Sequence, residues 1–148
     1  MQDYPKKLCF YKANKRVTGA AMQFDLNARR ECVFLEAAKQ TGERSFGWEN
    51  KIIFKLGVTD ASKIITVLNG KTNKIDLFHD PSKSKFVTQS KVKNTALAVQ
   101  KANYGYYLKL SKQGNDGSVA SVQIALSDDE AIVLKLMLET AIKKIYNW

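Results

Sequence analysis

Twice along this chain, a series of short segments with apolar residues at every second position gives way to one with apolar residues at every third or fourth. That change of period constrains the fold more than any other feature. Strands put alternate side chains on opposite faces, whereas helices bring positions i, i+3, i+4 and i+7 to one side. Lys7–Asn14, Gly19–Asn27, Glu31–Lys39 and Lys51–Leu56 are predicted strands, with Asn27–Arg30 a turn and Gln40–Glu49 a loop. Ala20, Met22, Phe24 and Leu26 alternate with Ala21, Gln23 and Asp25, while Cys32-Val33-Phe34-Leu35 is apolar on both faces and predicts a strand covered on both sides. Thr59 is the predicted N-cap of a helix through Ala61, Ile64, Ile65 and Leu68 that Asn69-Gly70 stops. The plan then repeats. Lys74–His79, Val92–Gln100, Tyr104–Ser111 and Val119–Ala125 read as strands, and Ser127-Asp128-Asp129-Glu130 is a capping box opening a helix that runs to about Tyr146.

The predicted order is ββββα-ββββα, an α+β fold that is mainly β. Eight strands exceed one short sheet, so the expectation is two sheets packed on each other, with a short and a long helix covering one end, in one domain over residues 1–148. In the closing helix Ala131, Leu134, Leu138, Ala141, Ile145 and Trp148 form an apolar stripe, and Ile132, Val133, Leu136 and Met137 widen it beyond what a surface helix needs. A helix this apolar is expected against a sheet and also against another chain.

Catalytic apparatus is not visible. His79 is the only histidine, set in Phe78-His79-Asp80-Pro81 at a strand end, where a structural role is expected. Cys9 and Cys32 lack metal spacing and read as buried free thiols in a reducing compartment. Neither a phosphate-cradling glycine loop nor a dinucleotide signature is present. The Asp128-Asp129-Glu130 cluster is explained by capping. No enzyme activity, cofactor or metal is therefore expected. Apolar runs are short, so no membrane span is expected. The N-terminal residues lack a secretory core, which predicts an intracellular protein of a bacterial or phage-infected cytoplasm, or of an organelle matrix if a presequence has been removed.

The charge is +10, from 24 basic against 14 acidic residues, and it is segregated. Tyr4 to Phe24 holds five basic residues and no acid, and Pro81 to Asn115 holds seven lysines and no acid. Such segments suit a polyanion. Aromatics coincide with them, and single-strand binders need both cations for phosphates and flat rings for unstacked bases. Three patches fit: Phe10-Tyr11-Lys12 running into Lys15-Arg16; Phe46-Gly47-Trp48 with Lys51, then Phe54-Lys55; and Tyr104-Gly105-Tyr106-Tyr107-Leu108-Lys109, in which Tyr104 and Tyr106 are expected to share a face. Phe10, Phe24, Phe34, Phe54 and Phe78 are expected in the core. The candidate nucleic-acid-binding set is Lys12, Lys15, Arg16, Gln23, Phe46, Trp48, Lys51, Lys55, Lys91, Lys93, Tyr104, Tyr106 and Lys109.

The order of these pieces resembles the Whirly family of single-stranded DNA-binding proteins, from about Gly19 to Trp148. Thr41–Ile65 resembles the family's aromatic-x-Trp stretch, basic strand and short helix, Lys74–Pro81 its strand ending in Phe-His-Asp-Pro, and Ile124–Trp148 its last helix. Where the family carries Lys-Gly-Lys-Ala, this chain reads Val17-Thr18-Gly19-Ala20-Ala21 after Lys15 and Arg16. The resemblance implies two four-stranded antiparallel sheets packed crosswise, with helices that join four subunits. It also implies that single-stranded DNA runs along sheet edges between subunits with little base preference, in replication, repair or transcription. Related folds bind guide RNA, so RNA is the alternative partner.

Overall fold

The computed structural model describes residues 4–80 and 92–148, the side chains of Val92 and Lys93 excepted; the candidates Lys91 and Lys93 thus lie outside what is described. The first sheet runs β1 (Leu8–Lys12), β2 (Ala20–Asn27), β3 (Cys32–Gly42), with β4 (Ser45–Phe46) and β5 (Ile52–Leu56) both pairing the far side of β3. The second runs in chain order through β6 (Lys74–His79), β7 (Val92–Lys101), β8 (Tyr106–Gly114) and β9 (Val119–Leu126). Helix α1 (Val58–Leu68) joins the sheets and α2 (Asp128–Ile145) closes the chain. All strand pairs are antiparallel. The expected two-sheet, two-helix plan holds, with one more strand than expected. Strand β4 falls inside the predicted Gln40–Glu49 loop; two residues are too short to show alternation.

Register decides which side chains meet. In the first sheet, Leu8, Phe10, Phe24, Met22, Leu35, Ala37, Phe54 and Ile52 stand on one face, and this face is buried. In the second, Leu77, Leu97, Val99, Leu108, Leu110, Val122 and Ile124 do the same. The two inner faces share one core with Ala61, Ile64 and Val67 of α1 and Ala131, Leu134, Leu138 and Ala141 of α2. The first four of the predicted α2 stripe are thus buried, but Trp148 is 95% exposed. It lies beyond the helix, after Asn147 turns into the left-handed region at φ 59°.

The caps follow the sequence with one shift. Ser127 Oγ and Glu130 form the expected reciprocal box, with Ser127 N–H donating to Glu130 Oε1 at 3.0 Å. Helix α1 starts two residues earlier than predicted, at Val58 with Gly57 as its N-cap, and Thr59 lies in its first turn. The reason is Asp60, whose carboxylate accepts from Gly57 N–H at 3.1 Å and so satisfies the helix start without a capping side chain at Thr59. That same carboxylate bonds His79 Nε2 at 3.1 Å, and the His79 ring stacks on Phe54 at 4.0 Å. The lone histidine is therefore a strut between the end of β6, the start of α1 and the core face of β5. Burial alone would raise the Asp60 pKa. The hydrogen bonds from His79 and Gly57 N–H, with the charges of His79 and Lys63, outweigh it and hold the carboxyl below its usual range.

Two aromatics predicted for the core stand outside it. Phe78 is 75% exposed because its neighbours in register, Ala96 and Ser111, place it on the outer face of the second sheet. Phe34 is half-buried on the outer face of the first sheet, opposite Asp25 and Lys55. Cys32 is buried as predicted, while Cys9 is only half-buried, on the same outer face.

Candidate nucleic-acid interface

The outer face of the first sheet can be written as rows across the strands. One row is Cys9, Gln23, Glu36 and Ile53. The next holds Tyr11, Ala21 and Ala38, and Lys51 follows as the residue before β5. Beyond these, Gln40 pairs Phe46. Strands β1 and β4 are three strand spacings apart, about 14 Å. Yet the Tyr11 and Phe46 rings come to 5.7 Å between centroids, and Trp48 follows Phe46 at 6.4 Å. Two rings anchored that far apart meet only by leaning over what lies between them. What lies between is Ala21 and Ala38, which are almost fully buried although they point outward. The alanines are a low floor, and Tyr11, Phe46 and Trp48 form an aromatic layer above it. Tyr11 is 60% exposed and the other two rings are half-buried, so the layer is open to solvent.

One buried amide fixes the end of this layer. Gln40 Oε1 accepts from Asn14 N–H and Gly19 N–H, both at 3.0 Å, and its Nε2 donates to Asn14 O and Gly42 O, both at 2.9 Å. It thereby ties the β1–β2 loop, which carries exposed Lys15 and Arg16, to the β3–β4 hairpin, which carries Arg44 and Phe46. Gly19 is required there, because a Cβ would fall 1.9 Å from Lys12 O. Basic groups thus stand at one end of the aromatic layer.

Further along the face Glu36 is buried, with Lys51 on its Oε2, Lys7 3.6 Å from Oε1 and Gln23 Nε2 donating to Oε1 at 3.1 Å. Burial would raise its pKa, and the hydrogen bonds from Lys51 and Gln23 with the Lys51 and Lys7 charges lower it on balance. Lys55 is exposed beside Phe34 and makes no ion pair among the described residues. The Tyr11 hydroxyl is held above its ordinary pKa, first by a hydrogen bond with Cys9, then by the charge of Cys9 and by burial.

Of the predicted set, Lys15, Arg16, Gln23, Phe46, Trp48, Lys51 and Lys55 come together on or around this face. Lys12 does not: its ammonium is 2.5 Å from Glu130 Oε1 at the start of α2, where it joins helix to sheet. The third patch is divided by the structure. Tyr106 is a core residue whose hydroxyl points to Leu68 O at 3.4 Å, and it is too buried to stack on a base. Tyr104 does not share its face. It lies in the β7–β8 turn before Gly105 at φ 88° and is 93% exposed. Lys109 is exposed on the outer face of the second sheet, on the same side as Tyr107. Missing from the predicted set were Tyr11, Lys7 and Glu36. Tyr11 was visible in the first patch, and period two separates it from inward-facing Phe10. Glu36 gave no signal, because an acid inside an apolar strand has no meaning until register places two lysines and a glutamine beside it.

Comparison with known proteins identifies the fold and the family. A sequence search of curated proteins found no match. Among solved structures, the plant transcriptional regulator PBF-2 superposes with a TM-score of 0.78 at 22% identity, covering 100% of this chain and 94% of that one. WHY3 from Arabidopsis thaliana gives 0.80 at 22%, covering 100% and 92%. The Trypanosoma MRP1/MRP2 structure gives 0.69 at 15%, covering 97% and 86%, and a guide-RNA-binding protein complex bound to its RNA gives 0.68 at 16%, covering 97% and 92%. The family model described as Whirly transcription factor matches residues 17–137, from the β1–β2 loop to the middle of α2, and so the chain belongs to the Whirly family.

Proposed function

We propose that this protein binds single-stranded DNA with little sequence preference, and performs no catalysis, by laying the strand across the outer face of the first sheet toward its β4–β5 edge. The observation that carries the reading is the aromatic layer of Tyr11, Phe46 and Trp48 over the Ala21–Ala38 floor. Bases stack on rings regardless of identity, while Lys55, Lys15 and Arg16 meet phosphates. Membership of a family described as transcription factors supports a role on DNA, in transcription, replication or repair. Exposed Ile132, Val133, Leu136 and Met137 on α2 form an apolar strip that a monomer leaves wet, which supports self-association, with four chains as the proposed state. A DNA strand bound at the sheet edge then runs between neighbouring subunits.

The test is a titration of oligo-dT with and without duplex competitor, following Trp48 fluorescence in a Trp148→Phe background. Tight, duplex-resistant and salt-sensitive binding is expected, with log K falling by about 0.7 per neutralised phosphate against log salt. Absence of binding at moderate salt would refute the reading. RNA is the second reading, favoured by the likeness to the guide-RNA-binding complex. A competition between matched DNA and RNA oligonucleotides separates the two.

A further inference from the structure

Glu36 is the only buried charged side chain among the described residues, and it sits on the face just assigned to a polyanion. Core packing does not place it there, since it points away from the core. A carboxylate in that position has two costs: it is desolvated, and it repels phosphates. Its partners explain how it is tolerated. Lys51 reaches its Oε2 from the β5 edge, and Lys7 reaches its Oε1 from the β1 edge at 3.6 Å. Gln23 Nε2 donates from β2 at 3.1 Å. Lysines from opposite edges of the sheet thus converge on one carboxylate in the middle, and both remain partly exposed, so both can swing outward.

We propose that Glu36 is a built-in stand-in for phosphate. In the free protein it holds Lys7 and Lys51 over the face; an arriving strand takes those ammoniums onto its own phosphates and leaves Glu36 to Gln23. The three charges sum to +1, so each lysine–phosphate pair formed replaces a lysine–carboxylate pair. Affinity and salt dependence are therefore set lower than the lysine count suggests. Glu36 is a positioning residue in this account and touches no base. The inference rests on the proposed single-strand reading of this face.

The experiment is a salt series of oligo-dT titrations on the full chain, wild type against Glu36→Gln, which keeps the shape and the bond to Gln23. Removal of a negative charge from among the phosphates is expected to tighten binding about three- to tenfold at low salt. The slope of log K against log salt should steepen by about 0.7, one more phosphate's worth. A purely structural role would leave that slope unmoved. Glu36→Ala should shift both quantities the same way, and it serves if Glu36→Gln folds poorly by circular dichroism. Unchanged or weaker oligo-dT binding by a folded variant overturns the proposal. So does a loss of affinity for a guanine-containing oligonucleotide titrated in parallel, with oligo-dT binding unweakened, which would make the carboxylate a reader of a base edge. If folded wild type fails to bind single strands at all, the reading of the face fails too, a result distinct from either of these.

Discussion

Tyr11→Ala is the most direct probe of the aromatic layer. With 60% of Tyr11 exposed, roughly 40% of its surface is covered. For a ring side chain of about 200 Å² that is about 80 Å², or about 2 kcal/mol of stability as an upper bound at ~25 cal/mol per Å². A domain of this size has about 5–15 kcal/mol in hand, so the variant should stay folded. Binding should suffer more visibly. Loss of one stacking ring is worth about 1–3 kcal/mol, or roughly 5- to 150-fold in Kd. Fluorescence anisotropy with a labelled oligo-dT at fixed salt measures it, and far-ultraviolet circular dichroism certifies the fold. Tyr11→Phe keeps the ring and should bind within a few-fold of wild type. Tyr104→Ala is the control. Its ring is nearly fully exposed and lies in an equally basic, acid-free stretch of sequence, but on a turn of the other sheet. It should leave affinity unchanged. The reasoning is refuted if folded Tyr11→Ala binds like wild type, or if Tyr104→Ala loses as much.

Gln40→Ala removes five hydrogen bonds and leaves the part-buried N–H of Gly19 without its acceptor; it should cost about 2–3 kcal/mol, lowering Tm by roughly 5–10 °C in a thermal melt. Acid should weaken the fold through Asp60 and Glu36. Both pKa values are depressed on folding, so their stabilisation is complete above the ordinary carboxylate range near pH 4 and is lost as pH falls through the folded values. Urea midpoints measured downward from pH 6 should therefore decline, and less steeply for Asp60→Asn. Leu136→Glu combined with Met137→Glu charges the exposed α2 strip without touching the core. Light scattering should then report a mass near the single-chain 16.7 kDa in place of the proposed four chains.

The sequence carried the element order because each element signals locally: period two in Ala20–Leu26, period 3.6 in Ala61–Leu68, and a reciprocal cap at Ser127 and Glu130. Misreadings arose where a partner far along the chain decides. The ring of Phe78 suggests the core, but alternation in β6 sets it with Lys74 and Asp76, opposite Ile75 and Leu77, and the register against Ala96 and Ser111 makes that face the outer one. Tyr106 and Tyr104 look equivalent two residues apart, but the chain turns between them at Gly105, so strand parity does not apply. Lys12 was read as a free cation; its partner Glu130 lies 118 positions later, in a cluster that capping already explained. The site was legible as ingredients, in Phe46, Trp48, Lys51 and Lys55, but not as an arrangement. No spacing rule says that rings from β1 and β4 meet over two alanines of β2 and β3.

Those two alanines also decide what the rings cannot do. Held over that floor, Tyr11 and Phe46 are inclined to each other by 39° and Phe46 and Trp48 by 53°, so the three rings form a stepped pavement and not one flat plate. Their centroids are 5.7 and 6.4 Å apart, nearly twice the ~3.4 Å rise of a stacked strand. A chain seated one base per ring must first be unstacked and drawn out. On the proposed single-strand reading, discrimination against duplex needs no gate or recognition residue, because paired DNA hides the base faces and holds them at a shorter interval than the rings.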